Sequence, residues 1–171
     1  HDRQTKETTM VNVTPTGEQV DTSDWKVSGC DPSISAEGRF VVFCSGSDSL
    51  AAGDQNGERD IVVHDRTTGK TTLASGGFSS LINDCVNDYP DGDVGSPSIS
   101  ANGRFVAFST TQQLTPDAYV GYGCPGESQV FVRDLQTGTI THVSDNDEGE
   151  QADSCYGTSI SADGRFVAFE S

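Results

Sequence analysis

The residues best placed to do chemistry lie in the loop Asp54-Gln-Asn-Gly-Glu-Arg-Asp60. Side-chain oxygens stand at its first, third and seventh positions, and a glycine at the fourth allows a sharp turn. Calcium takes six to eight oxygen ligands from flexible loops of this kind, so Asp54, Asn56 and Asp60 are the leading metal ligands and calcium the implied cofactor. The loop lacks the EF-hand arrangement, with Gly at position 6 and Glu at 12. The plainer reading is an Asx-rich turn whose side chains bond their own backbone. A second acidic group, Asp88, Asp91 and Asp93, lies in a loop rich in Pro and Gly and offers the same two readings. A third, Asp145 to Glu150 with Asp153, shares the string Gly-Glu-Gln-x-Asp with residues 17–21 and reads as a repeated connector. Nothing in the pattern points to catalysis. His1, His64 and His142 stand beside Val, Thr and Asp at strand-like positions without metal-ligand spacing, and no Gly-x-Ser-x-Gly elbow is present. A non-catalytic protein is expected.

The elements that must position these loops come from one phrase written three times. Ser33-Ile-Ser-Ala-Glu-Gly-Arg-Phe-Val-Val-Phe43 returns as Ser98 to Phe108 and again as Ser159 to Phe169, so the period is 65 and then 61 residues. Self-similarity at a fixed period marks a repeat architecture. A second phrase, Asp60-Ile-Val-Val-His-Asp-Arg-Thr-Thr-Gly, answers Gln129-Val-Phe-Val-Arg-Asp-Leu-Gln-Thr-Gly, and the chain opens on the tail of that phrase at His1-Asp-Arg-Gln-Thr-Lys. Glu37-Gly38, Asn102-Gly103 and Asp163-Gly164 predict tight hairpins, with positive φ at both central residues of a type I′ turn. The β-branched and aromatic runs after them read as buried strands, and Thr71 to Ser75 and Thr139 to Val143 as more polar outer strands. No stretch carries apolar residues at helical spacing.

Four short antiparallel strands per repeat make a propeller blade. On Ser-x-Asp-Gly-Arg-Phe-Val-Ala-Phe, Asp-x-Asn-Gly-x-x-Asp-Ile-Val-Val and Thr-Gly-x-Thr-Thr, the chain resembles the bacterial WD40-like, TolB-like β-propeller repeats. The fold expected is therefore all-β, a β-propeller segment over residues 1–171. Residues 1–13 would give outer strands of a partial blade, 33–75 and 97–144 two blades, and 158–171 the inner strands of a further partial blade. Either the polypeptide continues beyond both ends, which is the simpler expectation, or copies complete one another by strand addition at a sheet edge. Arg39, Arg104 and Arg165 recur at one blade position and predict pairing with an Asp or a carbonyl between blades. Phe40, Phe43, Phe105, Phe108, Phe166 and Phe169 predict blade-on-blade packing.

Composition narrows the function. A net charge of −16 and a pI near 4.2 argue against nucleic acid and anionic membranes as partners, since binding to them depends on Lys and Arg. No apolar run is long enough to span a bilayer as a helix. The five cysteines, Cys30, Cys44, Cys85, Cys124 and Cys155, form no Cys-x-x-Cys pair. Their scatter through a Gly-rich acidic chain predicts disulfides and an extracellular or periplasmic location. Cys85 with Cys124 is the favoured pairing, both lying in insertions, while Cys44 at a strand end reads as a buried thiol. Trp25, Tyr119 and Tyr122 are loop aromatics that could meet a ligand, although loop packing is the plainer role. The function expected is a binding module whose loops meet a protein or glycan ligand, stabilised by calcium. A self-assembling structural protein is the second reading, and the propeller part of a larger hydrolase, implied by the resemblance, the third.

Overall fold

The computed structural model describes residues 1–20, 31–57, 59–76, 94–118, 127–145, 149–152 and 155–171. Ten strands run through them: β1 (Ser33–Ile34), β2 (Phe40–Ser45), β3 (Asp60–Asp65), β4 (Lys70–Leu73), β5 (Val94–Ile99), β6 (Phe105–Thr110), β7 (Gln129–Asp134), β8 (Ile140–His142), β9 (Tyr156–Ile160) and β10 (Val167–Glu170). They form two antiparallel four-stranded sheets, β1-β2-β3-β4 and β5-β6-β7-β8, and a two-stranded sheet of β9 and β10. The central pairs share one register. Phe40 lies opposite Asp65 and Ser45 opposite Asp60, as Phe105 lies opposite Asp134 and Thr110 opposite Gln129.

The central strands β2, β3, β6 and β7 carry apolar runs because both faces of the sheet are covered there, and alternate residues serve opposite faces. Val42 and Cys44 of β2 join Ile61, Val63, Ile99, Val106, Phe108 and Phe131 in a core between the first two blades. Phe43 and Val62 turn the other way and pack with Leu50, Ala51 and Val20, with Val11 at the margin.

The repeated hairpin differs from the expected turn. Only the glycine has positive φ: Gly38 at 70°, Gly103 at 74° and Gly164 at 76°. The serine carbonyl accepts the glycine N–H three residues on (Ser35–Gly38, Ser100–Gly103 and Ser161–Gly164, each 2.9 Å). This is a turn with its left-handed residue last. The reason is the serine side chain. Its Oγ accepts the N–H of Phe40, Phe105 or Phe166 at 2.9–3.0 Å, which closes a wider loop than a type I′ turn would. In the second and third copies the same hydroxyl donates to Asn102 or Asp163 Oδ1.

The arginine pairs also differ. Arg39 binds Asp65 through two N–H donors at 3.0 and 2.7 Å, and Arg104 binds Asp134 at the same two distances, so each pair closes a hairpin within its own blade. The register explains this, since each arginine precedes the phenylalanine that faces the aspartate. Each guanidinium also stacks on the next phenylalanine, 4.7 Å from the ring centre, and Arg165 on Phe166 does the same.

Blade joins blade through contacts that recur at equivalent positions. Ser33 Oγ accepts the Ile99 N–H at 3.4 Å, and Ser98 Oγ the Ile160 N–H at 3.1 Å. The Ala36 N–H donates to the Ala101 carbonyl at 3.2 Å, and the Ala101 N–H to the Ala162 carbonyl at 3.0 Å. The Phe40 ring lies on Gly103 and the Phe105 ring on Gly164, each where a Cβ would sit about 2 Å from the ring. Phe166, expected to pack, is 60% exposed, because no glycine turn meets it among the described residues.

Residues 1–13, expected as outer strands, contain none, since no neighbouring strand among the described residues runs beside them. They do form the repeat's outer turn. The Lys6 N–H donates to the Asp2 carbonyl as Gly69 does to Asp65 and Gly138 to Asp134, and Lys6 takes the glycine's positive φ of 66°. The connector identity is also visible. Val13 bridges Gln19, and Asp145 bridges Gln151, at the same spacing.

Two predictions follow from these contacts. Gly103→Ala meets both a left-handed φ and the Phe40 ring, so it should destabilise by about 2–5 kcal/mol. Gly69→Ala has an equal φ and open space, so it should cost about 1–2 kcal/mol; urea unfolding of the two variants measures the difference. The Arg39 and Arg104 guanidiniums hold Asp65 and Asp134 well below the ordinary aspartate value of 3.8. A lowered folded-state pKa gives stability that is complete above that ordinary value and is lost as pH falls beneath it. Asp134→Asn should therefore flatten the acid limb of the stability curve and leave its neutral limb parallel to that of the parent.

Candidate functional site

Three of the six metal ligands expected from sequence are brought together. Asp54 lies on the β2–β3 loop and is 4% exposed. Both of its carboxylate oxygens are buried without a hydrogen-bond partner. Asp60 opens β3 and is fully buried. It accepts the Ser75 hydroxyl proton on Oδ1 and the Asn56 side-chain amide on Oδ2, the latter at 3.0 Å. Asp48, on the same loop, accepts the Gly57 N–H at 3.1 Å. Burial pushes the Asp54 carboxyl up to about 6, with the charges of Asp60 and Asp48 adding to the shift and the nearby Asn56 backbone opposing it. Among the described residues no three His, Cys, Asp or Glu side chains converge as a ready metal site. Asp88, Asp91 and Asp93 lie outside the described residues, as do Trp25, Tyr119, Tyr122 and the Cys85 and Cys124 pairing.

Cys44, expected as a thiol, is disulfide-bonded. It is buried at the end of β2 beside the loop that carries Asp48 and Asp54, so that loop leaves the sheet at a covalently fixed point.

The histidines serve the sheets. His64 is buried on β3, its Nδ1 3.0 Å from Thr71 Oγ1, and burial pushes its pKa down. His142 forms an arrangement with the outline of a catalytic triad. Its Nδ1 lies 3.9 Å from the Asp117 carboxylate and its Nε2 3.0 Å from Ser144 Oγ. The chemistry does not follow. Ser144 is 1% exposed, its hydroxyl donates to Gln129 Oε1 at 2.6 Å, and its oxygen accepts the Val130 N–H at 2.9 Å. Ser75 is used in the same way against Asp60 and the Ile61 N–H. This serine is a strand fastener in both blades.

Sequence reasoning missed a groove of about 500 Å³ at the seam of the first two blades. Phe40, Val63 and Leu135 supply its apolar lining, and its polar lining includes Asp65, Lys70, Thr72 and Arg104. Its volume lies within the range of ligand pockets. The groove arises where the outer strand β4 stands apart from the turns of the next blade. The only hint in the sequence is the recurring spacing of the phenylalanine and glycine that set the seam.

No protein-family model matches the chain, and no curated protein sequence matches it. Solved structures do. TolB from Acinetobacter baumannii superposes with a TM-score of 0.50 at 17% identity, covering 91% of this chain and 29% of that one. A TolB-type protein from Agrobacterium tumefaciens gives a TM-score of 0.50 at 16% identity, covering 85% of this chain and 39% of that one. The chain thus spans about a third of the length of these structures. Its paired four-stranded sheets, their common register and their repeated seams are those of a TolB-like β-propeller, present here as consecutive blades of an open array.

Proposed function

We propose that the chain is part of a non-catalytic β-propeller that binds a protein or glycan ligand in an extracellular or periplasmic setting. The groove at the first seam carries this reading. It joins an apolar floor to Lys70, to the Asp65 carboxylate and to Arg104, which is paired with Asp134. The use of His64, His142, Ser75 and Ser144 as internal fasteners supports a binding role over a catalytic one. The disulfide at Cys44 supports an oxidising compartment. The test is a screen of immobilised glycans and peptides with the parent and with Thr72→Trp, which fills the groove from the exposed side of β4. Ligands held by the parent and released by the variant support the reading; no retained ligand, or retention indifferent to the variant, removes the groove from it. Covalent labelling by a fluorophosphonate that disappears in Ser144→Ala would replace the binding reading with a hydrolytic one.

A second reading, assembly by blade completion, is favoured by the two outer faces. Phe166 and Ile34 are 60% and 57% exposed, although Phe105 and Ile99, their equivalents in the middle blade, are covered. Among the described residues the Gly38 turn has no ring upon it, whereas Gly103 and Gly164 do. One face therefore carries a phenylalanine and the other a glycine turn covered by the Arg66 and Ile34 side chains rather than by a ring, the two halves of the seam. If copies meet there, light scattering should give a multiple of 18.1 kDa that falls to 18.1 kDa in Phe166→Asp. A parent particle of 18.1 kDa would exclude this reading.

A further inference from the structure

We propose that the β2–β3 loop binds one calcium-type divalent cation, with Asp54 and Asp60 as carboxylate ligands and Asn56 as an amide-oxygen ligand. The observation that carries this is the state of Asp54. A carboxylate that is 96% buried, with neither oxygen in a well-formed hydrogen bond and only the nearby Asn56 backbone to offset its burial, bears most of the cost of its desolvation. A second buried carboxylate, Asp60, lies close enough to raise that cost, and Asp48 adds to it. Native proteins keep such groups where something positive meets them. Among the described residues the charges that act on Asp54 are those of Asp60 and Asp48, both negative, so a cation from solution is a group that fits.

The two blades offer a comparison within the molecule. Asp60 and Gln129 occupy the same register position, opposite Ser45 and Thr110. Each accepts a hydroxyl proton from the serine that follows its outer strand, Ser75 or Ser144. The fastening therefore works with a neutral amide in the second blade, and the first blade places a negative charge at the same position. The blade with the charge is also the one with Asp54 and Asn56 on the preceding loop.

The ligand chemistry favours calcium. All the donors are oxygens, and two carboxylates with one amide leave places for backbone carbonyls and water, which calcium accepts and which magnesium's stricter octahedron accommodates less readily. The Asn56 amide now turns its nitrogen toward Asp60; its oxygen and nitrogen exchange by rotation about one bond, so the same side chain can face a cation with its oxygen. Gly53 and Gly57, at φ of 92° and 65°, let the loop fold back over Asp54. A bound ion would tie this loop to the first residue of β3 and fix one rim of the blade.

Calorimetric titration of the protein with CaCl2, and separately with MgCl2, tests the proposal beside melting in calcium and in chelator. The parent should take up calcium in preference to magnesium and melt about 5 °C higher in millimolar calcium than in chelator. Asp54→Asn should lose one equivalent of calcium. Asp60→Gln, which copies the residue of the second blade and keeps its serine bond, should lose the same equivalent while remaining folded. A parent that binds no calcium, or variants that bind it with unchanged stoichiometry, would overturn the assignment. A rise in the melting temperature of Asp54→Asn, with a parent indifferent to calcium, would also overturn it, leaving Asp54 a buried carboxyl that folding tolerates without a metal.

Discussion

The first blade of this molecule lays a phenylalanine ring on a glycine of the second, the second does the same to the third, and the rest of the array depends on that contact. Phe40 on Gly103 and Phe105 on Gly164 leave no room for a β-carbon, so they fix the distance between sheets at the turn. At that distance the alanine N–H of one turn reaches the alanine carbonyl of the next, and the serine hydroxyl reaches the isoleucine N–H. The glycine answers two demands, a left-handed φ and a flat surface for the ring, and no other residue meets both. The arginine stacked on each phenylalanine, itself gripped by an aspartate of the same blade, limits the ring's freedom before the next blade arrives. Turn, hairpin clamp and seam are thus one device.

Serine hydroxyls do the remaining fastening. One at the start of each hairpin accepts a strand N–H that the wide loop would otherwise leave unpaired. Another, at Ser75 and Ser144, accepts the N–H of the second residue of the central strand and hands its proton to the first. Buried backbone donors need partners, and in sheets this short the ladder alone does not supply them. The abundance of serine in this chain follows from strand length, which is also why a serine, a histidine and an aspartate can stand in line at the second blade without the chemistry of a hydrolase.

The architecture was legible because repetition reveals it. Three copies of one phrase set the strand order, the turn positions and the register, and the likeness of residues 17–21 to 149–153 marked the connector before its bridge was seen. The turn type was not legible. Asx-Gly pairs suit a type I′ hairpin, and only the reach of the preceding serine to the phenylalanine N–H decides for the wider loop. Arginine pairing was half legible: the aspartate was foreseen, but whether it lay across a seam or across a hairpin depended on a register that spacing alone does not give. The groove was not legible, since it is a gap between elements rather than a pattern in any one of them. At the acidic loop, sequence grouped Asp54, Asn56 and Asp60 but gave no sign that Asp54 would be enclosed while Asp48 stays at the surface.

In a repeat protein the residues that obey the repeat describe the scaffold, and those that break it describe what one blade does differently. The clamps, seam glycines and serine fasteners recur because every blade faces the same geometric problem. At one position the two described blades part, since Asp60 accepts the serine hydroxyl with a carboxylate and Gln129 with a neutral amide. Burying a carboxylate costs more than burying a neutral amide unless the charge is met, so this position sets the first blade apart from the second. Lys70 is another departure: its place at the start of β4 is held by Thr139 in the corresponding turn of the second blade, and it lines the groove. The two departures flank β3 and β4 of a single blade, one at the start of the central strand and one at the start of the outer strand. That places the distinctive chemistry of the described residues in the first blade, with the second acting chiefly as the wall against which it is held.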